Sequence, residues 1–376
     1  MKQQCFLLAL FLINFFNSIV CIEQKRQTKV LHMSYHMGCI KDFADVAKEL
    51  NLDLCSWHIF SKPIDYLDGI STGFDIYNIT HDKADRIWLK HKAFFEQFDV
   101  IITSDTPVLA RPFLQNSCKK PLIIYMCNRF DYDHGGKEEF PDKELYDLFR
   151  QATKNENVKV IASTPYEHTY ASLKGVITGN SIIKPLGSLE TDLRFTDTTK
   201  NIPAEVDKPN TFFIYPQINN EQYKFVYTEC KQLGLKGHTG KYNGPNDLTE
   251  FKGIIYVPYQ AANWVLFEGM NRGFVFFVPS KKFLRELISQ DKVRVCCYFN
   301  PELYLNDFID EMEWYLDAHK DLFVFFDSWQ DLKLKTETID YQAVRKSMQL
   351  FGAFERHATL ERWKKVFSQF HTAGLA

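Results

Sequence analysis

The sequence predicts an α/β protein built of two Rossmann-like domains that face each other across a cleft, with a C-terminal helix crossing back. Three observations predict it. From Thr28 onward short apolar runs alternate with amphipathic helical stretches, the pattern of a parallel sheet wrapped by helices. A polar stretch from Gly187 to Asn210, with Pro203 and Pro209 and no sustained period, interrupts the alternation, which then restarts. The chain's 376 residues also exceed what one hydrophobic core usually fills.

The first element, residues 5–22, is an apolar run broken only by Asn14, Asn17 and Ser18. Such a run is a secretory signal peptide or a single membrane anchor. Ile19 and Val20 stand where a signal peptidase prefers small residues. Lys25, Arg26 and Lys29 follow the run, against Lys2 before it, and on the positive-inside rule this favours a cytosolic body behind an uncleaved anchor. The expectation is a membrane-associated or secretory-pathway protein, with the side of the membrane open.

The first domain is expected over 28–190. Thr28–Ser34 reads as its first strand, and Asp42–Leu50 as a helix through the stripe Phe43, Val46, Ala47 and Leu50. Asp53–Phe60 is a second strand, and Ala84–Phe98 a helix with Ile87, Phe94, Phe95 and Phe98 on one face. Val100–Thr103 is a strand running into a helix start at Ser104-Asp105-Thr106-Pro107. Leu122–Cys127 and Val158–Ala162 are buried strands, each followed by polar residues and a helix. The second domain is expected over 205–345, restarting with the strand Phe212–Tyr215 and the helix Glu221–Leu233, and continuing with strands Gly253–Val257 and Phe274–Val278. Tyr341–Phe370 is a long helical region, and 346–376 forms the C-terminal helix.

Composition excludes some partners. Net charge is −2, with Lys and Arg scattered rather than striped, so no electrostatic footprint for nucleic acid is present. The seven cysteines after the leader (Cys39, Cys55, Cys118, Cys127, Cys230, Cys296 and Cys297) are odd in number and lack CxxC spacing. They read as small buried hydrophobes rather than a disulfide framework. Asn78-Ile79-Thr80 is a glycosylation sequon that matters only if the body is lumenal. The 33 Phe and 18 Tyr suit aromatic-rich cores or sugar- and base-stacking surfaces equally.

The stretch richest in chemistry is Tyr242 to Ser280. Asn243-Gly244-Pro245 reads as a turn, and Asn246-Asp247-Leu248 opens a short helix. Tyr259–Asn263 is a strand's exit loop, Trp264–Met270 a helix, and Gly273 its C-terminus. A helix start near Ala262-Asn263 offers unpaired N–H groups and a positive dipole end, a natural phosphate site. Glu268, one turn inside, is placed as an exposed cleft carboxylate able to bond two ribose hydroxyls. Lys241 and Arg272 are candidates to neutralise a diphosphate without a metal.

At these residues the chain resembles the donor-binding domain of GT-B-fold glycosyltransferases. The resemblance lies in the order: strand, Pro-Tyr loop, Asn263, Leu266-Phe267-Glu268 in a helix, then Gly273 and a strand ending Val278-Pro279-Ser280. It implies that Glu268 holds a nucleotide ribose and that Asn263 lies near the diphosphate. Asn263-Trp264 stands where the family often has Ser or Thr, and one acid stands where many retaining members have two, which leaves retaining and inverting chemistry both open. The expected donor-binding set is Lys241, Asn243, Gly244, Tyr259, Asn263, Glu268 and Arg272.

In the first domain, Ser34-Tyr35-His36-Met37-Gly38 follows the first strand. Gly38 allows close backbone approach to a ligand, and His36 is the candidate general base for an acceptor hydroxyl. Asn128 to Asp133 follows another strand and reads as a ligand-facing loop. The expected acceptor-binding set is Tyr35, Gly38, Asn128, Arg129 and Asp131, with Asp105 and Glu167 as weaker cleft candidates. Asp131-x-Asp133 matches the DxD that binds a divalent ion in the other major glycosyltransferase fold, but the two-domain pattern argues against that fold. The expected activity is metal-independent transfer of a sugar from a nucleoside diphosphate sugar to a glycan, protein or lipid hydroxyl. The sugar nucleotide is a co-substrate and no cofactor is expected. The rival reading is a periplasmic-type two-lobed solute-binding protein, which would show several interdomain crossovers and need no ribose-binding Glu.

Overall fold

The computed structural model describes residues 26–58, 70–71, 79–128, 142–188, 207–216, 220–240, 242, 244–295 and 308–373. The leader, Asn78, Arg129, Asp131, Asp133, Lys241, Asn243, Cys296, Cys297 and most of the expected linker (189–206) lie outside the described residues. Among the described residues no helix is long and apolar enough to cross a membrane.

The first sheet contains β1 (Lys29–Ser34), β2 (Asp53–His58), β3 (Ile70–Ser71), β4 (Val100–Asp105), β5 (Leu122–Met126) and β6 (Val158–Ala162), in the spatial order β3-β2-β1-β4-β5-β6. The second contains β7 (Phe212–Ile214), β8 (Gly237–His238), β9 (Gly253–Ile255), β10 (Phe276–Pro279) and β11 (Val324–Phe326), in the order β11-β10-β9-β7-β8. Their pairings are parallel. Strands of a sheet covered on both faces are apolar along their length rather than alternating, and β5 is buried at every residue. Strand order reverses between β1 and β4 in one sheet and between β7 and β9 in the other. Those two crevices are where ligands of open α/β sheets bind.

The longer helices are α1 (Met37–Glu49), α2 (His81–Phe95), α3 (Lys143–Ala152), α4 (Pro165–Leu173), α5 (Asn220–Gln232), α6 (Trp264–Arg272), α7 (Lys281–Ser289), α8 (Trp329–Thr338) and α9 (Tyr341–Ala373). Several start on side-chain caps, with Asp142, Ser280 and Ser328 each accepting a backbone N–H of the first turn. α6 stops at Gly273, whose φ of 70° is the left-handed stop expected there. α1 begins five residues before the expected Asp42 because His36 caps it. Its acids Asp42 and Asp45 lie on the buried side, which an apolar stripe could not show.

α9 crosses back from the second unit to the first. Near its start, Arg345 donates to the carbonyls of Gly273 (3.2 Å), Phe251 (2.9 Å) and Lys252 (3.2 Å) in the second unit. Farther on, Arg356 pairs with Glu49 at 3.0 Å, and Trp363 packs edge-on against Phe43 and Tyr125 of the first unit. Trp363 is 1% exposed. Truncating such a buried aromatic costs about 3–5 kcal/mol, so this helix ties the units together.

The forward crossover is pinned as well. Asp42 accepts the N–H groups of Leu186 (3.1 Å) and Gly187 (2.8 Å), while Asn271 donates to both carbonyls of that pair at 2.9 and 2.5 Å. Gly187 has a φ of 70°, and a Cβ there would stand 2.4 Å from the Phe267 carbonyl oxygen. The start of the expected linker is therefore fixed structure held from both sides. Cys39, Cys55, Cys118, Cys127 and Cys230 are free thiols; Cys39 and Cys230 are buried and the other three half-buried.

Candidate functional site

A cavity of about 380 Å³ opens where the strand ends of the two sheets meet. His36, Gly38, Asp105 and Asn128 reach it from the first unit, and Gly244, Tyr259, Asn263 and Glu268 from the second. His36 follows β1 and Asp105 ends β4, so they flank the first sheet's reversal point. Tyr215 follows β7 and Tyr259 lies beyond β9, flanking the second.

Two helix starts face each other across this cavity. His36 caps α1, its Nδ1 accepting the Gly38 N–H at 3.0 Å. Asn263 caps α6, its Oδ1 accepting the Val265 N–H at 3.2 Å while its Nδ2 donates to the Tyr259 hydroxyl at 2.7 Å. Trp264 of α6 stacks on His36, with ring centroids 6.2 Å apart and planes 19° apart. A Cβ on Gly38 would stand 2.8 Å from the Trp264 ring, so the glycine expected to admit a ligand admits an indole from the opposite unit.

The cap also decides the His36 tautomer. With Nδ1 accepting, the neutral ring carries its proton on Nε2 and presents a donor to its surroundings. Partial removal from water in the cleft, with Lys41 nearby, lowers its pKa and keeps the ring neutral. A ring in this state donates a hydrogen bond through Nε2, so the expected role as general base does not fit this geometry.

Glu268 is 8% exposed, not the exposed carboxylate expected, although it lines the cavity. Burial raises its pKa to about 7, against the opposing pull of Lys41 and Arg272. Arg272 does not line the cavity. Its Nη1 donates to the Ser188 carbonyl at 2.6 Å and its Nε to Asn246 at 3.1 Å, which ties it to the crossover and to the second unit, while its Nη2 is buried without a hydrogen-bond partner among the described residues. Tyr35, expected on the acceptor side, is 5% exposed and belongs to the core. Glu167 closes the capping box of α4 with Thr164 and lies outside the cavity lining. Asp105 does line it, with a strained φ of 74°. Arg129, Asp131, Lys241 and Asn243 fall outside the described residues. Among the described residues no cluster of three or more His, Cys, Asp or Glu could hold a metal ion.

Sequence reasoning passed over Lys41, Tyr215 and Tyr242, all of which line the cavity. The two tyrosine hydroxyls bond each other at 3.0 Å. Tyr215 directly follows β7, but the apolar pattern counts it as the strand's last residue, so the strand-exit rule that picks out Asn128 points one residue past it. Lys41 sits inside a helix and carries no such signal.

No protein-family model and no curated protein matches the chain. Solved structures do resemble it. A Listeria monocytogenes protein assigned as a UDP-N-acetylglucosamine 2-epimerase aligns over 92% of this chain and 98% of its own, at 9% identity and a TM-score of 0.50. A UDP-glucosyltransferase of Polygonum tinctorium aligns over 93% of this chain and 100% of its own, at 10% identity and a TM-score of 0.48. Arabidopsis thaliana UGT89C1, solved with UDP, aligns over 90% and 100%, at 9% and 0.47. The likeness is one of fold. Two Rossmann-like units across a cleft, with the last helix crossing back, make the GT-B arrangement.

Proposed function

We propose that this protein is a metal-independent glycosyltransferase. It would transfer a sugar from a nucleoside diphosphate sugar held by the second unit to a hydroxyl of a glycan, protein or lipid held by the first. The observation that carries the reading is the cavity between the two sheets' reversal points, where the start of α6 and the buried Glu268 stand opposite His36 and Asn128. The N–H groups and dipole of α6 suit a diphosphate. Glu268, when ionised, suits the two hydroxyls of a ribose. Tyr215, Tyr242 and Tyr259 give the donor side an aromatic wall. His36 donates a hydrogen bond from Nε2 to the reacting group, and Asn128 stands on the acceptor side.

Fixed N–H donors and cations do the work of a metal in this reading, and the protein acts in the secretory pathway or on a membrane through residues 5–22. Native protein that resists carbonate extraction from membranes supports an anchor, and a mature N-terminus near residue 22 overturns it. Function is tested by melting curves against nucleotides and nucleotide sugars, since a ligand that binds only the folded state raises the melting temperature. Product analysis with hydroxyl acceptors follows. Tight binding of a free sugar or other solute, with no nucleotide effect and no turnover, would favour the solute-binding rival.

A further inference from the structure

The two helices that meet at the cavity match in construction. In each, the cap's side chain takes the N–H two residues on, His36 from Gly38 and Asn263 from Val265. Five residues after each cap stands a charged residue that lines the cavity, Lys41 on α1 and Glu268 on α6. The matched positions carry opposite charges and come from opposite units.

A diphosphate brings two or three negative charges, and a helix start supplies only about half a positive charge. Each helix here also spends one first-turn N–H on its own cap. The cavity therefore needs a full cation; Arg272 lies outside its lining, with Nη1 held by the Ser188 carbonyl and Nε by Asn246. Among the described residues Lys41 is the only lysine or arginine that lines the cavity. Asp45 lies one turn on along α1, and Glu268 and Arg272 face Lys41 from α6. A lysine so placed is a mobile point charge that can swing between carboxylates and a phosphate.

We propose that Lys41 is a donor-binding residue contributed by the first unit, its ammonium meeting the diphosphate of a nucleotide seated on α6. The donor is then gripped from both units, and the diphosphate rather than the nucleoside draws them together. This rests on the nucleotide-sugar reading above.

The test compares a nucleoside diphosphate with its nucleoside on the full chain, by calorimetry with UDP and uridine, GDP and guanosine, and ADP and adenosine. For the base that binds, Lys41→Met should weaken the diphosphate by about 10-fold or more and the nucleoside by less than about twofold. Lys41→Arg should keep most of the diphosphate affinity, which also shows that the site tolerates substitution. Unchanged diphosphate affinity in Lys41→Met, or equal losses for diphosphate and nucleoside, overturns the assignment while leaving the nucleotide reading intact. Wild-type protein that binds none of the six overturns both.

Discussion

Glu268 allows stability and function to be set against each other. Its pKa stands at about 7 where an unperturbed glutamate titrates near 4.5. At about 1.4 kcal/mol per pH unit, keeping it ionised in the folded protein costs roughly 3 kcal/mol. The sign follows from the direction of the shift. A carboxyl raised in the folded state stabilises fully below the unfolded value, and that contribution is lost as pH rises through about 7. Glu268→Gln removes the ionisation and nearly preserves the shape. Measured without nucleotide, its melting temperature should exceed wild type by a few degrees at pH 8, and the gain should vanish at pH 5.

Nucleotide binding should move the other way. An ionised carboxylate accepting two ribose hydroxyls makes charge-assisted bonds whose loss costs about 1.5–3 kcal/mol, so Glu268→Gln should bind roughly 10- to 100-fold more weakly at pH 8. Wild-type affinity should also fall as pH drops below 7, and fall more steeply than that of Glu268→Gln, in which only the diphosphate's own last ionisation, near pH ~6, remains. Paired melting curves and titrations at pH 5 and 8 decide it. A variant less stable at pH 8, or equally stabilised at both pH values, refutes the buried-charge argument. One that binds nucleotide normally refutes the ribose assignment.

Three further outcomes follow from the same geometry. Nucleoside diphosphate affinity with and without EDTA should agree within about threefold; complete loss in EDTA would make Asp131 and Asp133 the metal ligands and displace the proposed donor site. His36→Ala should keep nucleotide binding, lose about 1 kcal/mol through its cap, and slow transfer by about 100-fold or more through loss of the Nε2–H donor. His36→Asn, which can still cap α1, should regain the stability without the rate, and normal transfer in it would remove His36 from the chemistry. Gly187→Ala should destabilise by about 2–4 kcal/mol in denaturant melts, because a left-handed residue gains a Cβ against a backbone carbonyl; a neutral effect would mean the crossover is not pinned.

The fold was legible because its signals are local. A buried parallel strand is a short apolar run, and a helix start shows in its cap, so β1, β4, β5, β6 and β9 fall within a few residues of where the pattern put them. Gly273 stops α6 as its type suggests. Where the reading slipped, a polar residue served the interior. Asp42 extends the buried face of α1 because the Leu186 and Gly187 N–H groups need an acceptor there, and nothing near residue 42 announces a crossover more than a hundred residues away. Tyr35, beside a ligand-facing loop in sequence, turns into the core because successive residues at a strand end face opposite ways.

The lining of the candidate cavity was legible in one half and hidden in the other for the same reason. Asn263 and Glu268 lie in one short strand-loop-helix unit, so their spacing alone brings them together, whether or not the family resemblance is drawn. Lys41 acquires meaning only when α1 and α6 converge, and that convergence depends on contacts spread along the whole chain: Asp42 and Asn271 on the crossover, Trp264 over Gly38, and Trp363 at the far end of α9. Each is a residue whose type is unremarkable where it stands. A helix-borne lysine five residues past a cap is ordinarily a solvated side chain; here the partner unit takes it out of bulk water and sets Glu268 near it. A cation and a carboxylate from separate units, brought to one cavity by separately encoded helices, make the Lys41 and Glu268 substitutions a test of the interdomain geometry as much as of either residue. If Lys41→Met and Glu268→Gln are combined, their effects on diphosphate affinity should fail to add, because each residue sets the charge that the other feels.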